Sequence, residues 1–208
     1  DCMVRAALFR LSGQQQLLVI TQHHIASDGW SVGVLAQEIE ALYTASVKGE
    51  EANLAPLPVQ FQDYAHWYQE FSASDNFQEQ ISYWRDYLQG APQLHNLPLD
   101  FPRGSQQIFA SGRCLQILEP DVCKQLRDFN LSNNTTMFML LQSVLALVLC
   151  RWSNSDDLVM GTPIANRQNS QLEPLIGAFV NTLVLRNKLP EDSSFIEYLN
   201  QCRQNHLK

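Results

Sequence analysis

Charge is scarce in this sequence. Asp, Glu, Lys and Arg make up only 17% of its 208 residues, and the acidic side prevails, for a formal net charge of -7. No cluster of Lys and Arg stands out. Nucleic acid and anionic membrane are thereby argued against as partners, since both call for a positive field. A protein partner stays open. Paired cysteines are also missing. Cys2, Cys114, Cys123, Cys150 and Cys202 are odd in number and widely spaced, with no CxxC and no zinc-type pair. They read as reduced thiols of a cytosolic protein. No basic start followed by an apolar run marks a signal peptide. The most apolar stretch, 137–150, is too short to span a bilayer and contains Gln142 and Ser143; an apolar run of about 10–14 residues is more often a buried core helix. No Gly-x-Ser-x-Gly elbow is present, and no cysteine stands by a helix start with a base at hand.

What is present is apolar. Hydrophobic residues reach 45%, enough for a sizeable core. With so little charge, part of the surface is expected to be covered by another body. The chain begins almost directly in a strand pattern and stops in a helical one, so it is expected to be a piece of a longer polypeptide.

Residues 3–11 and 16–24 form two strand-like runs around the turn residues Ser12-Gly13-Gln14-Gln15, which predicts a hairpin. Val32, Leu35, Ile39, Leu42 and Tyr43 recur at helical spacing over 31–48, with Gly49 as a stop signal. Residues 50–60 read as a loop, and 61–71 and 77–88 as aromatic-rich helices. The Pro- and Gly-containing stretch 90–107 is the expected boundary between lobes. Beyond it the pattern predicts a strand at 113–118, a helix at 121–130, and an apolar helix capped by Thr135. Strands at 158–162 and 180–189 and a helix from Phe195 complete the reading. The class is α/β.

One constellation carries chemistry: His23-His24-Ile25-Ala26-Ser27-Asp28-Gly29. Successive strand residues point to opposite faces, so one histidine is expected to face a core and the other a cleft unless the strand breaks there. Convergent metal ligation is disfavoured, and no carboxylate sits at a zinc-motif spacing. An imidazole titrates near neutrality and suits an acyl transfer in which an attacking amine or hydroxyl loses a proton. His24 is the candidate for that role, by direct transfer between two bound substrates. Asp28 is read as pairing with an arginine to hold the loop rather than orienting His24. Gly29 would let a substrate approach the backbone closely. Taken alone, HHxxxDG is only a hypothesis.

The wider sequence resembles a known family. HHIASDGWS at 23–31, FQDYAHW at 61–67, GTPIANR at 161–167 and IGAFVNTLVLR at 176–186 occur in the order seen in condensation domains of nonribosomal peptide synthetases, and LPLDFPR at 97–103 is similar too. These domains belong to the chloramphenicol acetyltransferase-like superfamily. The resemblance implies a two-lobed fold, incomplete here at both ends, with 1–100 in the N-terminal lobe and 101–208 in the C-terminal lobe. His24 matches the catalytic position, viewed either as a general base or as a group positioning the amine. His23 and Asp28 match structural positions, Gly29 lines the substrate tunnel, and Asn181 faces the site from the other lobe. Trp30 is read as packing against the core while shaping the motif, and Tyr64 and Trp67 as packing residues. Arg167 is read as pairing with an acid or remaining solvated.

The implied reaction is amide formation between a donor acyl or peptidyl thioester and an acceptor aminoacyl amine. Both are carried on 4'-phosphopantetheine arms of upstream and downstream peptidyl carrier proteins, with an adenylation domain nearby. No cofactor is bound covalently and no metal is involved. An epimerization domain shares HHxxxDG, but Trp30-Ser31 and the Asn181 motif favour condensation. A free-standing acyltransferase and a non-catalytic carrier-docking module are the other readings. The resemblance also implies that the arginine partner of Asp28 precedes residue 1, leaving the site unbraced. The isolated 208 residues are therefore expected to show weak or no condensation, and a carrier-based product assay on the purified chain measures it.

Overall fold

The computed structural model describes residues 2–102, 104–106 and 111–207. Arg103, which ends the LPLDFPR run, and Gln107, which ends the loop at 90–107, lie outside them. The chain divides into two compact units: Asp1–Tyr87 with Thr162–Leu183, and Leu88–Gly161 with Val184–Lys208.

The first unit starts with the expected hairpin. Strands β1 (Val4–Arg10) and β2 (Gln16–Gln22) pair antiparallel, with Val4 opposite Gln22 and Arg10 opposite Gln16. The ladder gains one more bond where the His23 amide donates to the Met3 carbonyl at 2.9 Å. Helix α1 (Gly29–Lys48) follows. Asp28 caps its start, accepting the Ser31 amide at 2.8 Å. Gly49 ends it at φ 70°, a left-handed conformation that glycine adopts without a Cβ clash. Helices α2 (Phe61–Ser72) and α3 (Asp75–Tyr87) occupy the two aromatic-rich segments. In α2 a capping box joins Gln60 and Asp63.

The second unit is built on α4 (Pro120–Ser132), α5 (Met137–Ser153) and α6 (Phe195–His206). Strands β3 (Asp157–Ile164) and β4 (Asn181–Lys188) form a second two-stranded sheet and run through both units. The core of the second unit is Ala146 and Cys150 of α5, Leu158 of β3, and Tyr198 and Cys202 of α6. The polar residues of the apolar helix are partly satisfied, with the Gln142 side-chain oxygen buried and unpaired among the described residues. Gln142 donates to Asn187 Oδ1 at 2.7 Å, and Ser143 donates back to the Met139 carbonyl. On β3 and β4, Asp157 and Arg186 form an ion pair at 2.6 Å, and Arg186 also donates to the Gln89 carbonyl. All five cysteines are free thiols. Among the described residues no single helix is long and apolar enough to cross a membrane.

Two local expectations fail. Residues 113–118 are not a strand: they run irregular and exposed, with Leu115 and Ile117 largely in solvent. An alternating pattern becomes a strand only when a neighbour takes its backbone hydrogen bonds, and among the described residues none pairs with it. The cap of α5 is Thr136 rather than Thr135. Thr136 Oγ1 accepts the Met139 amide at 3.2 Å, while Thr135 donates to Asn130 Oδ1. The class is α/β as expected, with α4 to α6 and β3 and β4 close to their predicted bounds. Because Leu158 sits at the centre of the second unit's core, Leu158→Ala is expected to lower stability by about 2–5 kcal/mol, read by chemical denaturation.

Candidate active site

The histidine loop starts where β2 ends. The strand stops at Gln22, and after the His23 amide's bond to Met3 a turn closed by the Ala26 amide on the His23 carbonyl at 2.9 Å carries His24 out of the ladder. Strand alternation therefore no longer applies, and both side chains are exposed, instead of one facing a core. His23 is held locally: the Ile25 amide donates to its Nδ1 at 3.1 Å. Among the described residues nothing hydrogen-bonds the His24 imidazole.

The loop then dives inward. Ser27 and Asp28 are buried, and so is Ser31 one turn into α1. Asp28 is the centre of a clamp. Its Oδ1 accepts from the Ser31 amide, from the Ser31 hydroxyl at 2.7 Å and from Arg167 Nη2 at 3.2 Å. Its Oδ2 accepts from the Phe179 amide at 3.0 Å. The Asp28 and Arg167 side chains are only 2% and 1% exposed, so this ion pair lies out of solvent. Asp28 thus pairs with an arginine, as read from its place in the loop. That arginine is Arg167, within the chain. The expectation of a partner preceding residue 1 is overturned, because 162–183 folds back into the first unit and brings Arg167 to the loop.

Arg167 is itself fixed from several sides. Nη1 donates to the carbonyls of Leu172 and Leu175, and Nη2 to the Ser31 hydroxyl at 2.9 Å. The guanidinium lies 4.0 Å from the Phe179 ring centre, a cation–π contact. Asn166, one residue before, adopts φ 54° and donates to the Tyr64 hydroxyl. Asparagine tolerates this left-handed conformation better than most residues, which lets the chain turn between β3 and the arginine. Phe61, Tyr64 and Phe179 pack around the clamp, with Tyr64 and Phe179 centroids 4.6 Å apart. Tyr64 is a packing residue, as expected. Trp67 stacks on Phe71 but is half exposed. Gly177 is demanded by closeness: a Cβ there would collide with the Phe61 ring.

Trp30 is not a core residue. It is 47% exposed, and its indole N–H donates to the Glu173 carbonyl at 2.9 Å, with Arg167 5.9 Å from its ring. Gly29 is exposed at the start of α1, and a Cβ there would meet nothing within 4 Å, so open space lies beside it. Asn181 begins β4, is exposed, and accepts the Thr182 amide on its side-chain oxygen. It belongs to the same unit as His24, but among the described residues no hydrogen bond joins the two. Among those residues no group of three or more His, Cys, Asp or Glu side chains converges to hold a metal ion. The structure thus gathers Asp28 with Ser31, Arg167, Gly177 and Phe179. Gly177 had not been singled out, and Ser31 had been named only as part of the Trp30-Ser31 pair, with no role at the site. Asp28-x-x-Ser31 does carry the spacing of a helix N-cap and its third residue, a signal that could have pointed to Ser31.

Burial alone would raise the Asp28 pKa. The Ser31 hydroxyl and amide, the Phe179 amide and the Arg167 charge outweigh that and hold it below the ordinary carboxylate range.

The exposed His24 sits on a loop pinned from beneath by the buried Asp28–Arg167 ion pair. The sequence relatives make the class specific. The family model for the condensation domain matches residues 1–208. Malpinin synthetase of Mortierella alpina is 41% identical over 205 residues, covering 99% of this chain and 3% of that protein. Phosphinothricin tripeptide synthetase of Streptomyces viridochromogenes is 38% identical over 202 residues, covering 97% of this chain and 19% of that protein. The X-domain from teicoplanin biosynthesis superposes with a TM-score of 0.88 at 32% identity, covering 98% of this chain and 46% of that one; it has also been solved in complex with OxyB. The chain belongs to the condensation-domain family of nonribosomal peptide synthetases. It spans a small fraction of the curated relatives' length and about half of that solved domain.

A depressed carboxylate pKa adds stability that is complete above the unfolded value of about 3.9 and is lost as pH falls through the folded value. At pH 6, Asp28→Asn is expected to cost about 3 kcal/mol by breaking the buried pair. The gap between variant and wild type should then narrow as pH drops below about 4, as read by denaturation at stepped pH.

Proposed function

We propose that this chain supplies the histidine loop of a peptide-bond-forming site. The substrates are a donor acyl or peptidyl thioester and an acceptor aminoacyl amine, each on the 4'-phosphopantetheine arm of a peptidyl carrier protein. The amine nitrogen attacks the thioester carbonyl, the C–N bond forms, the C–S bond breaks, and the amine's proton ends on the leaving thiolate. His24 serves that proton or orients the amine. The observation that carries this reading is the contrast within one loop: Asp28 is clamped and buried, while His24, four residues earlier, is exposed and unengaged. A reactive group must be held in a productive geometry without spending its own hydrogen bonds on the support. The open space beside Gly29 suits a pantetheine arm or acyl chain passing the backbone. His23, Trp30 and Asn181 shape the site from its rim. No covalent cofactor is required, and the expected setting is a cytoplasmic synthetase with an adenylation domain nearby. We place 1–100 and 101–208 in the two lobes of a larger domain, with Thr162–Leu183 contributed in sequence by the second.

A second reading is a docking module without chemistry. It draws on the X-domain, a structural relative solved in complex with another protein. One substitution separates the two. In the synthetase polypeptide carrying these residues, His24→Ala is expected to reduce amide product about 10²–10⁴-fold with carrier binding intact. Unchanged turnover would sink the catalytic role, and loss of carrier binding alone would favour docking.

A further inference from the structure

Ser31 is fully buried and has more hydrogen-bonding neighbours than a hydroxyl can satisfy at once. A hydroxyl offers one proton and two lone pairs. Arg167 Nη2 at 2.9 Å and the Gly177 amide at 3.1 Å donate into it, which fills both lone pairs. Its one proton has two acceptors in reach, Asp28 Oδ1 at 2.7 Å and the Gly177 carbonyl at 2.9 Å. Asp28 belongs to the loop that carries His24, and Gly177 to the segment that leads through Phe179 to Asn181. No other side chain in the clamp bonds both peptide groups of Gly177 and the Asp28 carboxylate. Gly177 cannot retreat toward α2, because the Phe61 ring stands where its Cβ would be. Beside the direct bond from the Phe179 amide to Asp28 Oδ2, this one oxygen ties Gly177 to the Asp28 carboxylate and so helps set the separation of the two segments.

We propose that Ser31 is a positioning residue for the acyl-transfer site, fixing the His24 loop against the segment carrying Asn181 through Asp28 and Gly177. The proposal rests on the reading of His24 given above. Ser31 touches no reacting atom, so its loss should reduce turnover while leaving carrier-bound donor recognition in place.

The test pairs Ser31→Ala with Ser31→Cys, which keeps the side chain's shape but hydrogen-bonds weakly. Amide hydrogen exchange is followed on the 208-residue chain. In Ser31→Ala the Gly177 and Phe179 amides are expected to exchange about tenfold faster or more, with β1, β2 and α5 unchanged and Ser31→Cys intermediate. In the synthetase polypeptide, kcat should fall about tenfold or more with KM for the loaded donor carrier within about threefold, and Ser31→Cys should recover part of it. Unchanged exchange at Gly177 and Phe179, or a uniform rise along the whole chain, overturns the proposal. So does an unchanged kcat where wild type turns over and His24→Ala does not. Equal product from wild type and His24→Ala would instead defeat the acyl-transfer reading, and the exchange pattern would still decide whether Ser31 ties the two segments.

Discussion

A carboxylate and a guanidinium taken out of water each lose several kcal/mol of solvation, which their attraction offsets only with good geometry and further hydrogen bonds to most of their remaining donors and acceptors. Asp28 and Arg167 impose that condition on everything near them. The Ser31 amide and hydroxyl and the Phe179 amide complete the carboxylate's shell. The carbonyls of Leu172 and Leu175 take the guanidinium's outer protons, while its Nε is buried without a hydrogen-bond partner among the described residues. The backbone of 172–179 must therefore run close to the start of α1. That closeness is what requires glycine at 177 and packs Phe61 and Phe179 edge to face.

The same arrangement explains why the histidine end of the loop can stay open. His24 contributes nothing to the clamp and draws no support from it except through the backbone. Rigidity comes from Asp28 at the helix N-cap, and from the hairpin bond between His23 and Met3. A histidine held this way has its imidazole unengaged among the described residues, with the support coming through the backbone. The second unit shows the opposite use of buried polarity. There Gln142, Asn187 and Tyr198 hydrogen-bond among core side chains, a network that fixes packing.

Much of this could be read in advance where the signal was local. The hairpin, α1 with its Gly49 stop, and the apolar helix α5 follow from period, turn residues and caps, which act over a few residues. The reading failed where two local choices were equivalent or where a neighbour was needed. Thr135 and Thr136 are both competent caps, and only the actual entry angle selects Thr136. Residues 113–118 alternate like a strand yet have no partner among the described residues. The histidine pair lay in a run that looked like unbroken strand, and the turn at His23 was invisible in the pattern.

The sequence by itself determined the elements, the class and the chemistry available at His23 to Gly29, because propensity, capping and side-chain type are local properties. It also supplied the ordered motifs that point to the family. Only the tertiary structure decided which arginine meets Asp28. Arg167 is 139 residues away along the chain, and nothing in its own neighbourhood distinguishes a buried partner from a solvated cation. That choice depends on where β3, the turn at Asn166 and the return to β4 carry the backbone. A contact of that separation is fixed by packing around Gly177 and Phe61, and residue spacing carries no information about it.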